Sequence, residues 1–150
     1  MIEIVRKSKK KRILEYLKRR FNFTKKLDFV FFQDSKGRIR VASKDFLKLK
    51  TEGMRIENLG LYFGRWDGSE LRLSIEGSQI VGRDAKKNVL NLDDEKALEW
   101  MSGRNIEVKA RVENGFVILK HNKDFLGSGR FLDGKVVSFI PKERRIKPRN

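Results

Sequence analysis

Four short turn signals recur along this chain and separate segments in which apolar and polar side chains alternate. The turns are Asp34-Ser35-Lys36-Gly37, Asp67-Gly68, Asn114-Gly115 and Asp133-Gly134. Such sequences join antiparallel strands, because Asn, Asp and Gly accept the backbone angles of tight hairpin turns. Their close spacing, with two short helical patterns between strands, disfavours a series of β-α-β units. The sequence therefore predicts an α+β fold, a small mixed β-barrel with short helices.

The individual elements follow from hydrophobic periodicity and from capping residues. The predicted strands cover residues 27–33, 38–41, 59–66, 71–80, 106–112, 116–120 and 136–140. The predicted helices cover residues 8–21 and 44–50, and a third segment that opens at residues 91–95. Ser8 is the predicted N-cap of the first helix, and Gly53 and Gly103 are expected to end the other two. We expect a basic helix, a hairpin and a short helix in residues 1–53, the barrel in 54–145 and a basic tail in 146–150.

The charge is concentrated at the two ends of the chain. The 150 residues carry a formal net charge of +16, of which residues 1–26 contribute +9 and residues 142–150 contribute +4. The long middle part is therefore nearly neutral. Concentrated positive charge of this kind is typical of proteins that meet phosphate, either in nucleic acid or on an anionic membrane.

The first predicted helix is amphipathic and basic. Its cationic candidates for phosphate contact are Lys9, Lys10, Arg12, Arg19 and Arg20. A helix of this composition can also lie on a membrane surface. Its apolar stripe is narrow and a core is near in sequence, so we expect it to dock on that core, and we expect no membrane partner.

Several kinds of chemistry lack the residues they need. The chain has no cysteine and one histidine, His121, which is too few for an ordinary zinc or iron site. Asp93, Asp94 and Glu95 fit the start of a helix without a metal. Gly127-Ser128-Gly129 lacks the frame of a phosphate-binding loop, and no nucleotide-cofactor fingerprint is present. We therefore predict a non-enzyme with no catalytic residue, metal, cofactor or small-molecule substrate. No secretory signal or membrane span is evident, so we expect a cytoplasmic protein.

RNA recognition requires cations for phosphate and aromatic or guanidinium planes for bases. The segment 60–66 offers Tyr62, Arg65 and Trp66 as solvent-facing candidates, while Leu61 and Phe63 are expected to face the core. Lys142, Arg144 and Arg145 directly follow the last predicted strand, which would aim them at phosphate.

Short motifs in this order resemble a known family. They are Gly60-Leu-Tyr-Phe-Gly, Gly115-Phe-Val-Ile-Leu, Phe125-Leu-Gly-Ser-Gly129-Arg130 and Ile140-Pro-Lys-Glu-Arg-Arg145. This order is similar to the PUA-like RNA-binding domain at the C-terminus of Nop/Sun-type RNA cytosine-5 methyltransferases. The resemblance implies a PUA-like mixed β-barrel that holds structured rRNA or tRNA, with Arg130 added to the candidate RNA-binding residues. Where the family has Gly-Leu before its final Arg, this chain has Glu143-Arg144. The catalytic thiol of those enzymes has no counterpart here, because the chain lacks cysteine.

Two functional hypotheses remain at this point. The first is a stand-alone RNA-binding protein that assists RNA modification or ribosome assembly, with an RNA methyltransferase as a partner in trans. The second is a protein–protein adaptor that docks on an RNA methyltransferase or a ribosomal particle. Duplex DNA is a weaker candidate, because no helix-turn-helix or zinc-finger pattern is present.

Overall fold

The computed structural model describes residues 2–45 and 60–147, and two five-stranded sheets form its framework. The strands are β1 Glu3–Ile4, β2 Phe29–Gln33, β3 Arg38–Ser43, β4 Leu61–Trp66, β5 Leu71–Leu73, β6 Val89–Asn91, β7 Ile106–Glu107, β8 Gly115–His121, β9 Asp124–Leu132 and β10 Lys135–Ser138. The helices are α1 Lys7–Phe21, α2 Ile75–Gly82 and α3 Asp94–Met101, followed near the C-terminus by a 3-10 turn at Lys142–Arg144. The predicted α+β class with short helices is confirmed.

The first sheet has the order β1-β2-β3-β4-β5, and all of its strand pairs are antiparallel. The second sheet has the order β6-β8-β9-β10-β7 and contains one parallel pair, β6 with β8. The predicted turns at Asp34–Gly37, Asp67-Gly68 and Asp133-Gly134 do connect neighbouring antiparallel strands. The fourth predicted turn, Asn114-Gly115, does not, because β7 pairs with β10 while β8 pairs with β6 and β9. Strands β3 and β4 pair across the predicted boundary between residues 53 and 54. The division into 1–53, 54–145 and 146–150 stays a prediction.

Helix α1 docks on the inner face of the first sheet, as its apolar stripe predicts. Ile13, Tyr16, Leu17 and Phe21 are buried from this helix, and they share one core cluster with Phe31, Ile39, Phe63 and Leu71 of the sheet. The helix begins one residue earlier than expected. Arg6, not Ser8, occupies the N-cap position, and no side chain caps this end. Among the described residues, no helix is long and apolar enough to cross a membrane.

The fully buried Trp100 of α3 lies in a second core cluster with residues of the second sheet. Its indole nitrogen donates to the Leu126 carbonyl at 2.8 Å. Gly129 of β9 lies directly against the ring, since a Cβ there would be 2.5 Å from a Trp100 ring carbon. Gly127, two residues earlier, has φ +95°, which side chains rarely adopt. The glycines of the Leu126–Gly129 motif are thus explained by packing and backbone shape.

The predicted strand over residues 71–80 is wrong after Leu73. The Ser74 hydroxyl accepts a hydrogen bond from the Gly77 backbone N–H at 2.9 Å and caps α2. Alternating Leu71, Leu73 and Ile75 suggested a longer strand, but the serine cap ends it. Asp93 caps α3 in the same way, and Gly103 follows that helix with φ +87°, as predicted.

Other differences are smaller. The predicted strand 106–112 pairs only over Ile106–Glu107, and the last strand ends at Ser138 instead of residue 140. The predicted helix 44–50 with its stop at Gly53 lies mostly outside the described residues. Leu61 is 52% exposed, although alternation placed it in the core beside Phe63. The reason is a register shift between β3 and β4, which interrupts strict alternation within β4.

Candidate nucleic-acid interface

Three arginines lie side by side across the outer face of the first sheet. Arg38 of β3 is the register partner of Arg65 of β4, and Arg65 is the partner of Arg72 of β5. Register partners in antiparallel strands have Cα atoms about 5 Å apart and project from the same face. The opposite face of these strands is held in the core by Ile39, Phe63 and other apolar residues. We call Arg38, Arg65 and Arg72 the arginine row.

The charges of the arginine row are only partly neutralised by the protein. Arg38 donates from Nε to the Asp34 carboxylate at 2.5 Å. The Arg65 side chain is exposed and has no hydrogen bond or ion pair within residues 2–45 and 60–147. Like charges directly opposite each other destabilise a sheet, and a bound anion would relieve that repulsion. The row is therefore a site suited to phosphate.

An aromatic surface continues from the end of the arginine row. The Arg72 guanidinium lies over the Phe139 ring at 4.4 Å from its centroid. The rings of Phe139 and Phe116 meet edge to face, with their centroids 6.2 Å apart. The Arg130 guanidinium lies over the Phe116 ring, 4.3 Å from its centroid. Phe139 is 37% exposed, so part of its ring is open to a stacking partner. Alternating guanidinium and aromatic planes of this kind stack well with unpaired bases.

A cleft of 190 Å³ opens beside Arg72, between the start of α2 and the C-terminal segment. We call it the Tyr62 cleft. Its lining includes Tyr62, Arg72, Glu76, Phe139 and Arg144. Arg144 donates from a terminal guanidinium nitrogen to the Glu76 carboxylate at 2.6 Å. The cleft thus combines two aromatic rings with two cations and one carboxylate.

Hydrogen bonds from two serines fix the walls of the Tyr62 cleft. Ser74 Oγ donates to the Tyr62 carbonyl at 2.5 Å, which ties the start of α2 to β4. Ser128 Oγ is buried and donates to the Leu73 carbonyl at 2.8 Å, which ties β9 to β5. Because both bonds join different elements, the lining side chains have a rigid support.

The structure brings several of the predicted residues together at this surface. Tyr62 and Arg144 line the cleft, Arg65 lies in the row, and Arg130 stands at the far side of Phe116. Arg130 is also 3.4 Å from the Glu70 carboxylate. Lys142 and Arg145 are exposed in the neighbouring C-terminal segment. Their roles in RNA binding stay a prediction.

Trp66 is the exception, because it does not face solvent. It is 6% exposed and lies under α1, with its ring 6.2 Å from that of Tyr16. The register shift in β4 turns Arg65 outward and Trp66 toward the core. The Arg12 guanidinium lies over the indole ring, 5.9 Å from its centroid, and donates to the Gly68 carbonyl at 2.5 Å. The expectation that Trp66 works at the solvent side is therefore wrong.

The predicted cations of α1 do not lie at the arginine row, because α1 packs on the inner face of the first sheet and the row lies on its outer face. Most are engaged within the protein. Lys9 donates to the Gln33 side chain, and Lys10 donates to the Phe29 carbonyl at 2.8 Å. Burial and the nearby Lys44 ammonium lower the pKa of Lys10. Arg19 is exposed, with its guanidinium 5.7 Å from the Tyr16 ring.

Arg20 is committed to a structural contact between α1 and the second sheet. Its side chain is only 10% exposed. Nε donates to the Phe116 carbonyl and a terminal nitrogen donates to the Glu113 carbonyl, both at 2.6 Å. Burial lowers the pKa of this guanidinium. These donors are not available to phosphate while the contacts hold.

Sequence reasoning missed three residues of the interface: Arg38, Arg72 and Phe139. Strict alternation in β3 and β5 does indicate that both arginines face away from the core. Alternation within one strand does not show which residues of neighbouring strands are paired. The alignment of Arg38 and Arg72 with Arg65 could therefore not be predicted from it. Phe139 lies just beyond the end of β10, within the segment 136–140 that the sequence predicts as the last strand. Within the described parts of the chain, no three His, Cys, Asp or Glu side chains come together as metal ligands.

The comparison with known family models concerns the C-terminal part of the chain. Residues 87–146 match the family model described as the methyltransferase RsmF PUA domain. Proteins named ribosomal RNA small subunit methyltransferase F are 26% identical in Aeromonas salmonicida and 22% identical in Vibrio cholerae, each over 90 residues. Those alignments cover 60% of this chain and 19% of each relative. The chain therefore spans about a fifth of the length of the curated relatives it matches. The resemblance inferred from the motifs is confirmed, and the two-sheet architecture is consistent with a PUA-like fold.

Proposed function

We propose that this chain, with its match to the RsmF PUA domain over residues 87–146, is a non-catalytic protein that binds structured rRNA or tRNA. In this role it assists RNA modification or ribosome assembly, with an RNA methyltransferase as a partner in trans. The observation that carries the proposal is the arginine row, which continues through Arg72 into the aromatic Tyr62 cleft.

The mechanism follows from the chemistry of that surface. Phosphates lie on the arginine row, where guanidinium groups give charge-assisted hydrogen bonds to phosphate oxygens. An unpaired base stacks on the exposed part of Phe139 or enters beside Tyr62. The remaining positive charge, including that of α1 on the other side of the sheet, accelerates the encounter with RNA through the long-range field.

The names of the relatives support an RNA target, because each is a methyltransferase of small-subunit ribosomal RNA. The matched model is that of the PUA domain alone. The chain has no cysteine, so it cannot supply the thiol nucleophile that the resemblance assigns to the methyltransferases. Both facts favour a binding role.

The test is RNA affinity as a function of salt, measured by fluorescence anisotropy with a labelled hairpin RNA. If about six phosphates are neutralised, the slope of log K against log salt is near −4 on single-stranded segments. We expect R65Q/R72Q to weaken binding about tenfold and to reduce the slope magnitude by about 1.4, since two phosphate contacts are lost. The matched control is R104Q/K135Q, two exposed cations that do not line the row or the cleft.

Equal affinities and slopes for R65Q/R72Q and R104Q/K135Q would contradict the assignment of the interface. A slope near zero for the wild-type chain would contradict RNA binding by electrostatic capture. Thermal unfolding of each variant checks that the fold is retained.

The adaptor function has one observation of its own. Leu98 of α3 is 58% exposed and shares an open groove of 520 Å³ with the exposed Ile146. Such an apolar surface can dock a protein partner. A Leu98→Asp variant that loses capture of a methyltransferase while keeping RNA affinity would support the adaptor function, and R65Q/R72Q would show the reverse pattern.

A further inference from the structure

A second and wider cleft lies at the other end of α2. It has a volume of 710 Å³, and its walls come from the segment after α2, from residues 111–113 and from the end of β8. Five cationic residues line it: Arg83, Lys86, Lys87, Arg111 and Lys120. We call it the Arg111 cleft. None of its lining residues was a candidate from the sequence.

The walls of the Arg111 cleft are held by backbone contacts to the end of α1. The Lys86 backbone N–H donates to the Phe21 carbonyl at 2.8 Å. The Asn88 amide donates to the Arg20 carbonyl at 2.6 Å and accepts from the Glu113 backbone N–H at 2.9 Å. Asn88 is buried and has φ +59°, a conformation that Asn tolerates better than most residues. The cleft is thus a built feature with a defined shape.

Its positive charge is largely uncompensated. Glu113 is the single carboxylate in the lining, and it already lies 3.4 Å from Lys87 and 3.7 Å from Arg20. Hydrogen bonding to Lys87 and the charge of that ammonium lower the pKa of Glu113, so the carboxylate is ionised at neutral pH. Arg83, Lys86 and Arg111 have no acidic partner among the residues that the structure describes. Unpaired cations in a concave surface concentrate the electrostatic potential there.

A structural explanation covers only part of this cluster. Cations after a helix C-terminus stabilise the helix dipole, which accounts for Arg83 behind α2. Arg111 comes from the segment between β7 and β8, and Lys120 comes from β8, yet both line the same cleft. Their convergence is not needed to stabilise α2.

We infer that the Arg111 cleft is a second RNA-backbone site, which binds phosphates of the same RNA that occupies the Tyr62 cleft. This inference rests on the proposed function. The Arg111 cleft is wide and lined by cations and amides, which suits phosphodiester groups. The Tyr62 cleft is narrow and aromatic, which suits a base. The eight residues of α2 separate the two clefts by about 12 Å along the helix axis, so a folded RNA can reach both. Simultaneous binding raises the overall affinity through a high effective concentration.

The experiment compares two RNA probes on the full chain in the same salt series. One probe is a labelled hairpin RNA, and the other is an RNA dinucleotide, whose single step of about 3.4 Å is too short to span the two clefts. The variants are R83Q/R111Q for the Arg111 cleft, R65Q/R72Q for the arginine row, and R104Q/K135Q as the charge-matched control. Thermal midpoints confirm that each variant is folded.

We expect R83Q/R111Q to weaken hairpin binding about tenfold and to reduce the salt-slope magnitude by about 1.4, as two phosphate contacts are lost. Its affinity for the dinucleotide stays at that of the control, whereas R65Q/R72Q weakens both probes. If R83Q/R111Q matches the control on the hairpin while R65Q/R72Q weakens it, the second site is refuted and the proposed function stands. If the wild-type chain binds neither probe, the proposed function and the second site both fail.

Discussion

Arg19 and Arg20 are neighbours on α1, carry the same charge and have opposite surroundings. Arg20 is 10% exposed and donates two short hydrogen bonds to carbonyls, one of them in the second sheet, whereas Arg19 is exposed. Replacing each in turn with methionine removes the charge and keeps most of the aliphatic stem. The two variants therefore lose the same charge from adjacent positions of α1, but only Arg20→Met also loses structural contacts.

The size of the Arg20→Met effect follows from its contacts. Hydrogen bonds that involve a charged group contribute about 1.5–3 kcal/mol each, and the two carbonyls are left without this donor. Methionine restores part of the packing, so we expect a loss of about 3 kcal/mol in the free energy of unfolding. Arg19→Met is expected to change it by about 0.5 kcal/mol or less, as surface substitutions do.

Urea unfolding followed by circular dichroism measures this difference. With a denaturant slope of about 2 kcal/mol per molar, the urea midpoint of Arg20→Met falls by about 1.5 M. Arg19→Met keeps the hairpin RNA affinity within about threefold of wild type, since it removes one exposed charge outside the arginine row and both clefts. A loss below about 1 kcal/mol for Arg20→Met, with a tenfold loss of RNA affinity, would refute the structural role.

Three further predictions concern the cleft, the buried indole and acid stability. Glu76→Gln frees Arg144 and removes a carboxylate from the Tyr62 cleft, so we expect hairpin RNA affinity to rise about threefold in anisotropy titrations. The control Glu107→Gln removes an exposed carboxylate elsewhere and gives no comparable gain. Trp66→Phe lowers the thermal midpoint but leaves RNA affinity unchanged, because Trp66 packs beneath α1; a large loss of affinity in the folded variant would contradict that placement. Asp67 accepts from two backbone N–H groups of its own turn, which lowers its pKa below the ordinary 3.8. The Asp67 carboxylate therefore stabilises the fold above about pH 3.8, and this stabilisation is lost as pH falls through the folded-state pKa. In unfolding curves, Asp67→Asn is less stable than wild type at pH 7, and the difference in free energy of unfolding shrinks in acid.

Local chemistry made much of the fold predictable. The Asp-Gly turns require particular backbone angles, and the acidic start and the Gly103 stop of α3 act within a few residues of sequence. The sequence pattern did not predict helix α2, because two local signals conflict there. Leu71, Leu73 and Ile75 alternate as in a strand, and the one local signal against it is Ser74, whose cap decides the outcome.

The interface was less predictable because it depends on pairing between distant segments. The register shift in β4 reverses the expected orientations of Leu61 and Trp66, and nothing within residues 60–66 shows where the extra residue falls. The arginine row requires three strands to align, and the Arg111 cleft requires α1, the segment after α2 and the second sheet to meet. Charge composition indicated a polyanion partner and pointed to the chain ends, whereas the proposed interface lies on these assembled surfaces.

Photo-crosslinking of the full chain to a hairpin RNA, followed by mass spectrometry, tests the central claim most directly. Aromatic side chains in contact with bases form such crosslinks readily, and the half-buried Tyr62 and the exposed Phe139 lie on separate peptides. The account predicts crosslinks at Tyr62 and Phe139 that diminish in R65Q/R72Q. Crosslinks confined to α1 and its flanking residues, with none at Tyr62 or Phe139, would contradict it.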